Sequence, residues 1–316
     1  MVRFYPSHID GINYQNNVLM SDRLVADSDF VEESYNFFQA NTSYFNSSDL
    51  QSSVRQFNKR LSLTTNGLIP EAVKSLEDTD MILINSLVIE LPWFSQFERT
   101  PKKLTFTKTD GSKLKVPAMT TTSRNIKMSR ITVGRTRLTE MRLIRVPYAT
   151  TAGKPSSMEM RIYLGPKQVL QSGLEILLDH NQNVDNIFQL PPPEEEEEDG
   201  DEEITLTLPV FTSKSELDVA AFLKKHGISR IFSSDAELTK FTQDDQNFSV
   251  KNINQEVFVK VSEEGTTASA ITRVNLALLS AETPQVVTVN VPFIFSIWDK
   301  TNNLPLMVGL INDPTK

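Results

Sequence analysis

Residues 81–91 read MILINSLVIEL, an almost unbroken run of Ile, Leu and Val. A run of this length and content is typical of a central strand that is buried on both faces. We therefore expect these residues at the middle of a sheet. The 316 residues of the chain suit one large domain or two ordinary ones, and we predict a single domain over residues 1–316.

Helical and strand-like segments are mixed along the chain. Apolar side chains recur at roughly helical spacing over residues 28–41 and 48–61, with Ser28 and Ser48 as plausible caps. Further helices are expected at residues 167–180 and 217–225. The expected strands are residues 104–107 with 113–116, 141–148 with 158–164, 204–208, 256–261, and 286–298 with 304–311. Because no regular βαβ alternation appears, we predict an α+β fold with largely antiparallel sheets.

The acidity of the chain comes from one short run. Residues 194–203 hold nine acids and one glycine, and without those nine acids the formal net charge of −8 becomes +1. Clustered acids repel one another and resist burial, which predicts an exposed loop at residues 191–203. Two interpretations stay open: a solvated loop, or a binding site for a basic partner or for Ca²⁺.

An excess of basic residues occurs earlier in the chain. Residues 99–145 hold thirteen Lys or Arg against only Asp110 and Glu140. A bound polyanion is one interpretation, and a set of strands with solvated basic faces is the other. We expect no nucleic-acid partner. We also expect no membrane-spanning helix, since the apolar runs are far shorter than a membrane span.

Cysteine usage and the first residues bear on localisation. The chain has no cysteine, which excludes disulfides and thiolate metal sites. Its opening, MVRFYPSHIDGINYQNN, lacks the apolar core of a signal peptide. Glycosylation sequons occur at Asn41, Asn46 and Asn247 and favour a secreted glycoprotein only weakly. Both an extracellular and a cytoplasmic location therefore remain.

No catalytic constellation can be recognised. The three histidines, His8, His180 and His226, stand in no triad-like arrangement, and none of the common nucleophile, phosphate-loop or zinc motifs occurs. We predict that the protein is not an enzyme, and that it has no catalytic residue, metal site or cofactor.

Residues 263–280, EEGTTASAITRVNLALLS, differ from an ordinary surface loop. They contain one glycine and no proline, and small residues stand where a loop usually carries Asn, Asp, Pro or Lys. Every second residue from Thr266 to Leu278 is uncharged, and these residues are small at first and then apolar. The alternate residues, which begin at Thr267, include most of the polar side chains. This pattern indicates a strand with one buried face. On the pattern alone, a static edge strand fits equally well.

The opening of this segment, E-E-G-T-x-A-x-A-x-T, resembles the serpin hinge, which begins the reactive-centre loop of that family. The resemblance implies that Gly265 is the pivot and that Thr266 is the first side chain to enter a sheet. Ile271 departs from the usual small residue, but it falls on the outward set. The implied hinge consists of Glu263, Glu264, Gly265, Thr266, Thr267, Ala268, Ser269 and Ala270.

Other segments resemble serpin elements in the same order along the chain. They are Thr65-Asn66-Gly67, residues 85–93 with Trp93 near the point of loop entry, Leu208-Pro209-Val210-Phe211, Pro292-Phe293 and residues 308–314. In the second of these, Glu90-Leu91-Pro92 replace the usual K-G-x. The implied fold is the serpin fold, with helices packed on largely antiparallel sheets and an exposed reactive-centre loop at residues 263–284.

The resemblance implies a suicide-type inhibitor of a serine or cysteine protease. The protease would cleave the loop, and the freed hinge would insert between two strands of the main sheet. Counting from the first hinge glutamate points to the bond between Leu279 and Ser280, with Leu278 or Ser280 as alternatives for the residue before the cut. A leucine there suits chymotrypsin-like, elastase-like or cathepsin-like enzymes.

The helices that open other serpins have no counterpart before residue 18, so we expect an N-terminally truncated or divergent member. Lost cover over apolar strands favours association. We expect a monomer that is prone to polymerise. The alternative function is a non-inhibitory serpin-like interaction protein, or an inactive truncated isoform.

Overall fold

The predicted α+β class is confirmed by a computed structural model, which describes residues 11–133, 139–166, 202–243, 248–263, 265 and 283–315. The chain divides into two units. The first consists of Met1–Glu90 and Ser213–Val259, and the second of Leu91–Thr212 and Lys260–Lys316.

The strands and helices have the following bounds. The strands are β1 Ile12–Ser21, β2 Ala40–Phe45, β3 Met81–Ile89, β4 Glu98–Arg99, β5 Leu104–Thr107, β6 Lys113–Val116, β7 Ala118–Ser123, β8 Lys127–Val133, β9 Thr139–Ala149, β10 Pro155–Leu164, β11 Ile204–Pro209, β12 Phe211–Asp218, β13 Val250–Val261, β14 Gln285–Thr288, β15 Phe293–Asp299 and β16 Leu304–Ile311. The described helices are α1 Ser28–Phe38, α2 Leu50–Thr64 and α3 Val219–Lys225, with a 3-10 turn at Arg230–Phe232.

The first unit is built on a five-stranded sheet in the order β12-β13-β3-β1-β2. The predicted central strand β3 occupies its middle, antiparallel to β1 and parallel to β13. Its side chains Ile82, Ile84 and Val88 belong to the same core cluster as Phe57 and Leu61 of α2. Leu83 and Leu87, on the opposite face, are only half-buried, so the prediction of burial on both faces is met on one face.

The helix caps are aspartates, not the predicted serines. Asp27 accepts hydrogen bonds from the backbone N–H groups of Asp29 and Phe30, and Asp49 accepts one from Ser52. Ser28 lies inside α1, because the carboxylate one residue earlier already occupies the capping position. Helix α1 ends at Phe38, before the predicted residue 41, since Gln39 adopts a left-handed conformation with φ of 52°.

The second unit contains two larger sheets and a hairpin. One sheet has the order β16-β15-β10-β9-β8, another has the order β14-β11-β7-β4, and β5 pairs with β6 alone. The predicted pairs β5–β6, β9–β10 and β15–β16 are all confirmed as antiparallel. The fully buried Phe293, Phe295 and Trp298 lie along β15.

The prediction of one strand over residues 286–298 is wrong. Strand β14 ends at Thr288 and pairs parallel with β11, whereas β15 begins at Phe293 and joins a different sheet. Pro292 between them has no N–H group to give to a ladder, which favours a break there. The pairs β1–β2, β3–β13 and β11–β14 are parallel in an otherwise largely antiparallel set.

Two predicted segments, the helix at residues 167–180 and the exposed acidic loop at residues 191–203, lie almost wholly outside the described residues. In the described part, no helix is long and apolar enough to cross a membrane. The same part holds no group of His, Cys, Asp or Glu side chains that could bind a metal ion.

Candidate functional site

The centre of the first sheet is a parallel seam, by which we mean the direct pairing of β3 with β13. It runs from Met81 opposite Val250 to Ile89 opposite Val259. No strand lies between the two, and no gap stands open. A loop that enters here must therefore separate strands that are already hydrogen-bonded.

A ladder of amide side chains bridges the seam at its middle. The Nε2 of Gln255 donates to the Oδ1 of Asn85 at 3.0 Å, and the Nδ2 of Asn85 donates to the Oδ1 of Asn16 on β1 at 2.7 Å. Each such bond contributes about 1 kcal/mol. The ladder joins three neighbouring strands and stabilises the closed seam.

The opposite face of the seam holds a buried carboxylate. The Glu256 side chain is 2% exposed and lies opposite Ser86, with the Nζ of Lys214 at 3.8 Å from its Oε2. Burial raises the pKa of Glu256, Lys214 lowers it in part, and Glu216 raises it again, so that its pKa lies above the usual range.

Replacing Glu256 by glutamine is expected to change how stability depends on pH. Because the folded pKa is raised, the native state binds the extra proton, and wild-type stability falls as the pH rises from 4.5 through the folded pKa. The Glu256→Gln variant lacks this group and should gain stability relative to wild type over that interval. Urea unfolding of both proteins at pH 4.5 and pH 7 measures the difference, and a constant difference would contradict the prediction.

Beyond the seam, the chain that leaves β13 turns back at once. The backbone N–H of Gly265 donates to the carbonyl of Ser262, and the N–H of Ser262 donates to the carbonyl of Gly265, both at 3.1 Å. Gly265 has φ of +91°, a left-handed conformation that favours glycine. These two bonds form an isolated antiparallel bridge, which closes a tight turn.

Trp93 fixes this turn from the segment that follows β3. Its indole Nε1 donates to the Ser262 carbonyl at 2.8 Å, and its ring stacks on Tyr148 with centroids 4.6 Å apart. A Cβ atom on Gly265 would lie only 2.5 Å from the Cα of Pro92, with the carbonyl of Leu91 nearer still. The turn is therefore packed directly against residues 91–93.

Replacing Trp93 by phenylalanine should separate the hydrogen bond from the stacking. A phenyl ring keeps the apolar contact with Tyr148 but cannot donate to the Ser262 carbonyl. We expect unfolding free energy to fall by about 1 to 2 kcal/mol, from the lost bond and the smaller ring. Urea denaturation measures this value. A change within experimental error would show that the indole bond does not stabilise the turn.

A salt bridge completes the site. The Nη1 of Arg99 donates to both carboxylate oxygens of Glu263, at 2.9 and 3.2 Å. Partial burial raises the pKa of Glu263, but hydrogen bonds from its own backbone and from Arg99 outweigh this and lower its pKa. The Arg99 side chain is 52% exposed, so the pair contributes at most about 1 kcal/mol.

Three of the predicted site residues, Trp93, Glu263 and Gly265, thus meet at one turn. Sequence reasoning missed their partners, which are Arg99, Tyr148 and Ser262. The other predicted hinge and cleavage residues lie outside the described residues: Glu264, Thr266, Thr267, Ala268, Ser269, Ala270, Leu279 and Ser280. Of the sequons, Asn41 and Asn46 are exposed, and Asn247 lies outside the described residues.

Some of the described basic residues of the 99–145 region lie beside acids. Arg99 is paired with Glu263, and Lys108 lies near Asp110 and Asp313. Four lysines are exposed on or beside the β5–β6 hairpin, namely Lys102, Lys103, Lys113 and Lys115. We call these four residues the hairpin lysines.

Comparison with known proteins assigns nearly the whole chain to one family. Residues 6–314 match the family model described as Serpin (serine protease inhibitor). The chain belongs to the serpin family. Among curated serpins it is 27% identical to glia-derived nexin of Mus musculus over 316 residues, covering 96% of this chain and 74% of that protein. It is 25% identical to alpha-1-antitrypsin 1-5 of Mus musculus over 302 residues, covering 95% and 67%.

Solved serpin structures agree in fold. A structure of native protease nexin-1 with heparin superposes with a TM-score of 0.76 at 25% identity, covering 96% of this chain and 78% of that one. Human thyroxine-binding globulin complexed with its ligand superposes with a TM-score of 0.79 at 16% identity, covering 99% and 78%. The serpin fold predicted from the hinge motif is thus confirmed.

Proposed function

We propose that this serpin is a suicide-type inhibitor of a serine or cysteine protease, with a chymotrypsin-like or elastase-like target. The observation that carries the proposal is the direction of the chain at Gly265. Strands β3 and β13 are parallel, so a segment that reverses direction after β13 is antiparallel to both of them. The Ser262–Gly265 turn makes this reversal. A freed loop could therefore continue from this turn into the seam and form backbone hydrogen bonds with both strands.

The proposed mechanism is the one that the resemblance to the serpin hinge implies. A protease that attacks between Leu279 and Ser280 would become acylated and would free the far end of the loop. Insertion would break the β3–β13 pairing but form two ladders in its place and bury one set of loop side chains. The protease, still bound to the loop, would be carried away and its active site distorted before deacylation.

Incubation with chymotrypsin tests the proposal. We expect a complex that survives denaturing electrophoresis, cleavage after Leu279, and a higher midpoint of heat unfolding for the cleaved chain. A cleaved protein that forms no complex and gains no heat stability would refute inhibition. That outcome would support the alternative, a non-inhibitory interaction protein whose seam stays closed. The amide ladder across the seam favours this alternative.

A polyanion is proposed as a second partner, at the hairpin lysines. Lys115 donates to Thr105 across the hairpin at 2.6 Å, and in the pairing register Lys113 lies on the same face. The heparin complex of nexin-1 at 25% identity supports this choice of ligand. Elution of the Lys113→Gln/Lys115→Gln double variant from heparin at lower salt than wild type would support it, whereas unchanged elution would refute it. The control is Lys59→Gln/Lys74→Gln.

We also propose that the protein is secreted and carries glycans at the exposed Asn41 and Asn46. Mass spectrometry of protein made in a eukaryotic host tests the two sites.

A further inference from the structure

The five-stranded sheet β16-β15-β10-β9-β8 of the second unit has two edge strands, and they differ in chemistry. Strand β8 carries Lys127 and Arg130, and charges on an edge strand hinder its pairing with another chain. Strand β16 reads LPLMVGLI and carries no charged or polar side chain. Of these two edges, β16 is therefore the one that suits a further apolar strand.

The outer edge of β16 has no backbone partner in the described part of the chain. In an antiparallel sheet, every second residue of an edge strand directs its N–H and C=O groups away from the sheet. The side chains are also incompletely covered, since Leu304 is 40% exposed and the next six residues are half-buried. The strand thus offers both hydrogen-bonding groups and apolar surface to another strand.

The second half of β16 is regular enough to accept such a strand. From Met307 to Ile311 it pairs residue by residue with β15, whereas Leu306 falls in a bulge and Pro305 has no N–H group. Bulges and prolines are among the features by which natural edge strands avoid pairing. The run Met307–Ile311 contains neither of them.

We infer that Met307–Ile311 pairs antiparallel with the same run of a second copy of this chain. A two-fold axis at Gly309 sets Met307 opposite Ile311 of the second copy, and Val308 opposite its Leu310. Each opposed side chain is then apolar, so the pairing desolvates no charge. A strand that carries charges would have to desolvate them at this edge, which favours a second copy as the partner.

The contact is a weak and closed one. Both copies use the same surface, so association ends at the dimer, and each β16 stays in its own sheet. Because an edge alone is buried, the interface lies at the small end of specific contacts, and we expect a dissociation constant of roughly 1 to 100 μM. This inference does not rest on the proposed inhibitory function.

Sedimentation velocity of the full chain from about 1 to 300 μM, a span chosen around that constant, tests for the dimer. We expect the sedimentation coefficient to rise from the monomer value towards the dimer value. Met307→Lys places a charge on the paired run and should weaken dimerisation at least about tenfold. The control is Leu304→Lys, which adds the same charge to β16 on the other side of the bulge and should dimerise like wild type.

Disulfide crosslinking tests the register, because the chain has no cysteine of its own. Val308→Cys and Leu310→Cys are prepared as two separate proteins, since cysteine is a small apolar residue that suits a half-buried position. These two positions lie opposite each other in the inferred pairing. Oxidation of an equimolar mixture should therefore give the mixed disulfide well above the proportion that random pairing gives, as measured by mass spectrometry.

A chain that stays monomeric over the whole concentration range would overturn the inference. A dimer that Met307→Lys leaves unchanged would overturn it too, because another surface would then form the contact. If circular dichroism shows that Met307→Lys does not fold, the crosslinking result decides. Random crosslinking, or none, would overturn the pairing of Met307–Ile311.

Discussion

Replacing Gly265 by alanine is expected to lower the free energy of unfolding by about 3 kcal/mol. Two costs add. A left-handed conformation costs an alanine about 1 kcal/mol. The added methyl group would also meet the backbone of Leu91 and Pro92, and backbone cannot give way like a flexible side chain. Urea denaturation followed by tryptophan fluorescence measures the loss.

The matched control for this prediction is Gly111→Ala. Gly111 has φ of +84°, close to the +91° of Gly265, but a Cβ there would meet no atom within 4 Å. This variant should therefore lose only about 1 kcal/mol. Equal losses in the two variants would show that the Ser262–Gly265 turn is not packed tightly against residues 91–93.

Replacing Thr266 by arginine is expected to abolish inhibition without preventing cleavage, and this prediction rests on the proposed function. If Thr266 enters the seam first, a guanidinium there must be desolvated at a cost of several kcal/mol. Insertion then slows, and deacylation releases the protease. We expect the fraction of encounters that end in a stable complex to fall at least about tenfold, since 1.4 kcal/mol already corresponds to that factor.

Thr267→Arg serves as the control for Thr266→Arg. Thr267 belongs to the alternate set of the predicted strand, which also holds Arg273 and should face outward. It should keep most of the inhibition. Gel quantification of complex and of cleaved chain, at several ratios of inhibitor to protease, measures both products. Similar loss in both variants would contradict insertion with the predicted alternation.

Local signals predicted the elements whose partners are close in sequence. The β5–β6 hairpin has the predicted bounds, because alternating residues flank Asp110-Gly111 and the glycine accepts φ of +84°. Strand β3 was also predictable, because a nearly continuous apolar run over residues 81–91 favours a buried strand over any other element.

Strand β13 was recognised only in part. Its first half reads VKNINQ, which carries too many amides to resemble a buried strand. Gln255 fits because Asn85, distant in sequence, accepts its hydrogen bond and in turn donates one to Asn16. A pairing of this kind depends on tertiary structure and leaves no periodic pattern in either segment.

Residues of the candidate site could be predicted only where a motif marks them. Trp93 and Gly265 could be named because a family resemblance marks each of them. Arg99 could not, because in sequence it is one of thirteen basic residues in a region. Only the folded chain places its guanidinium 2.9 Å from Glu263.

The parallel seam has a consequence for biosynthesis. Strand β13 begins roughly 160 residues after β3 ends, and at 5–20 residues per second a ribosome needs roughly 8 to 32 s to make that stretch. Throughout this delay the nascent chain has β1 to pair with one edge of β3, while the backbone N–H and C=O groups of the other edge have no partner strand yet. Chaperone dependence should therefore be concentrated in this interval, after β3 has emerged and before β13 follows.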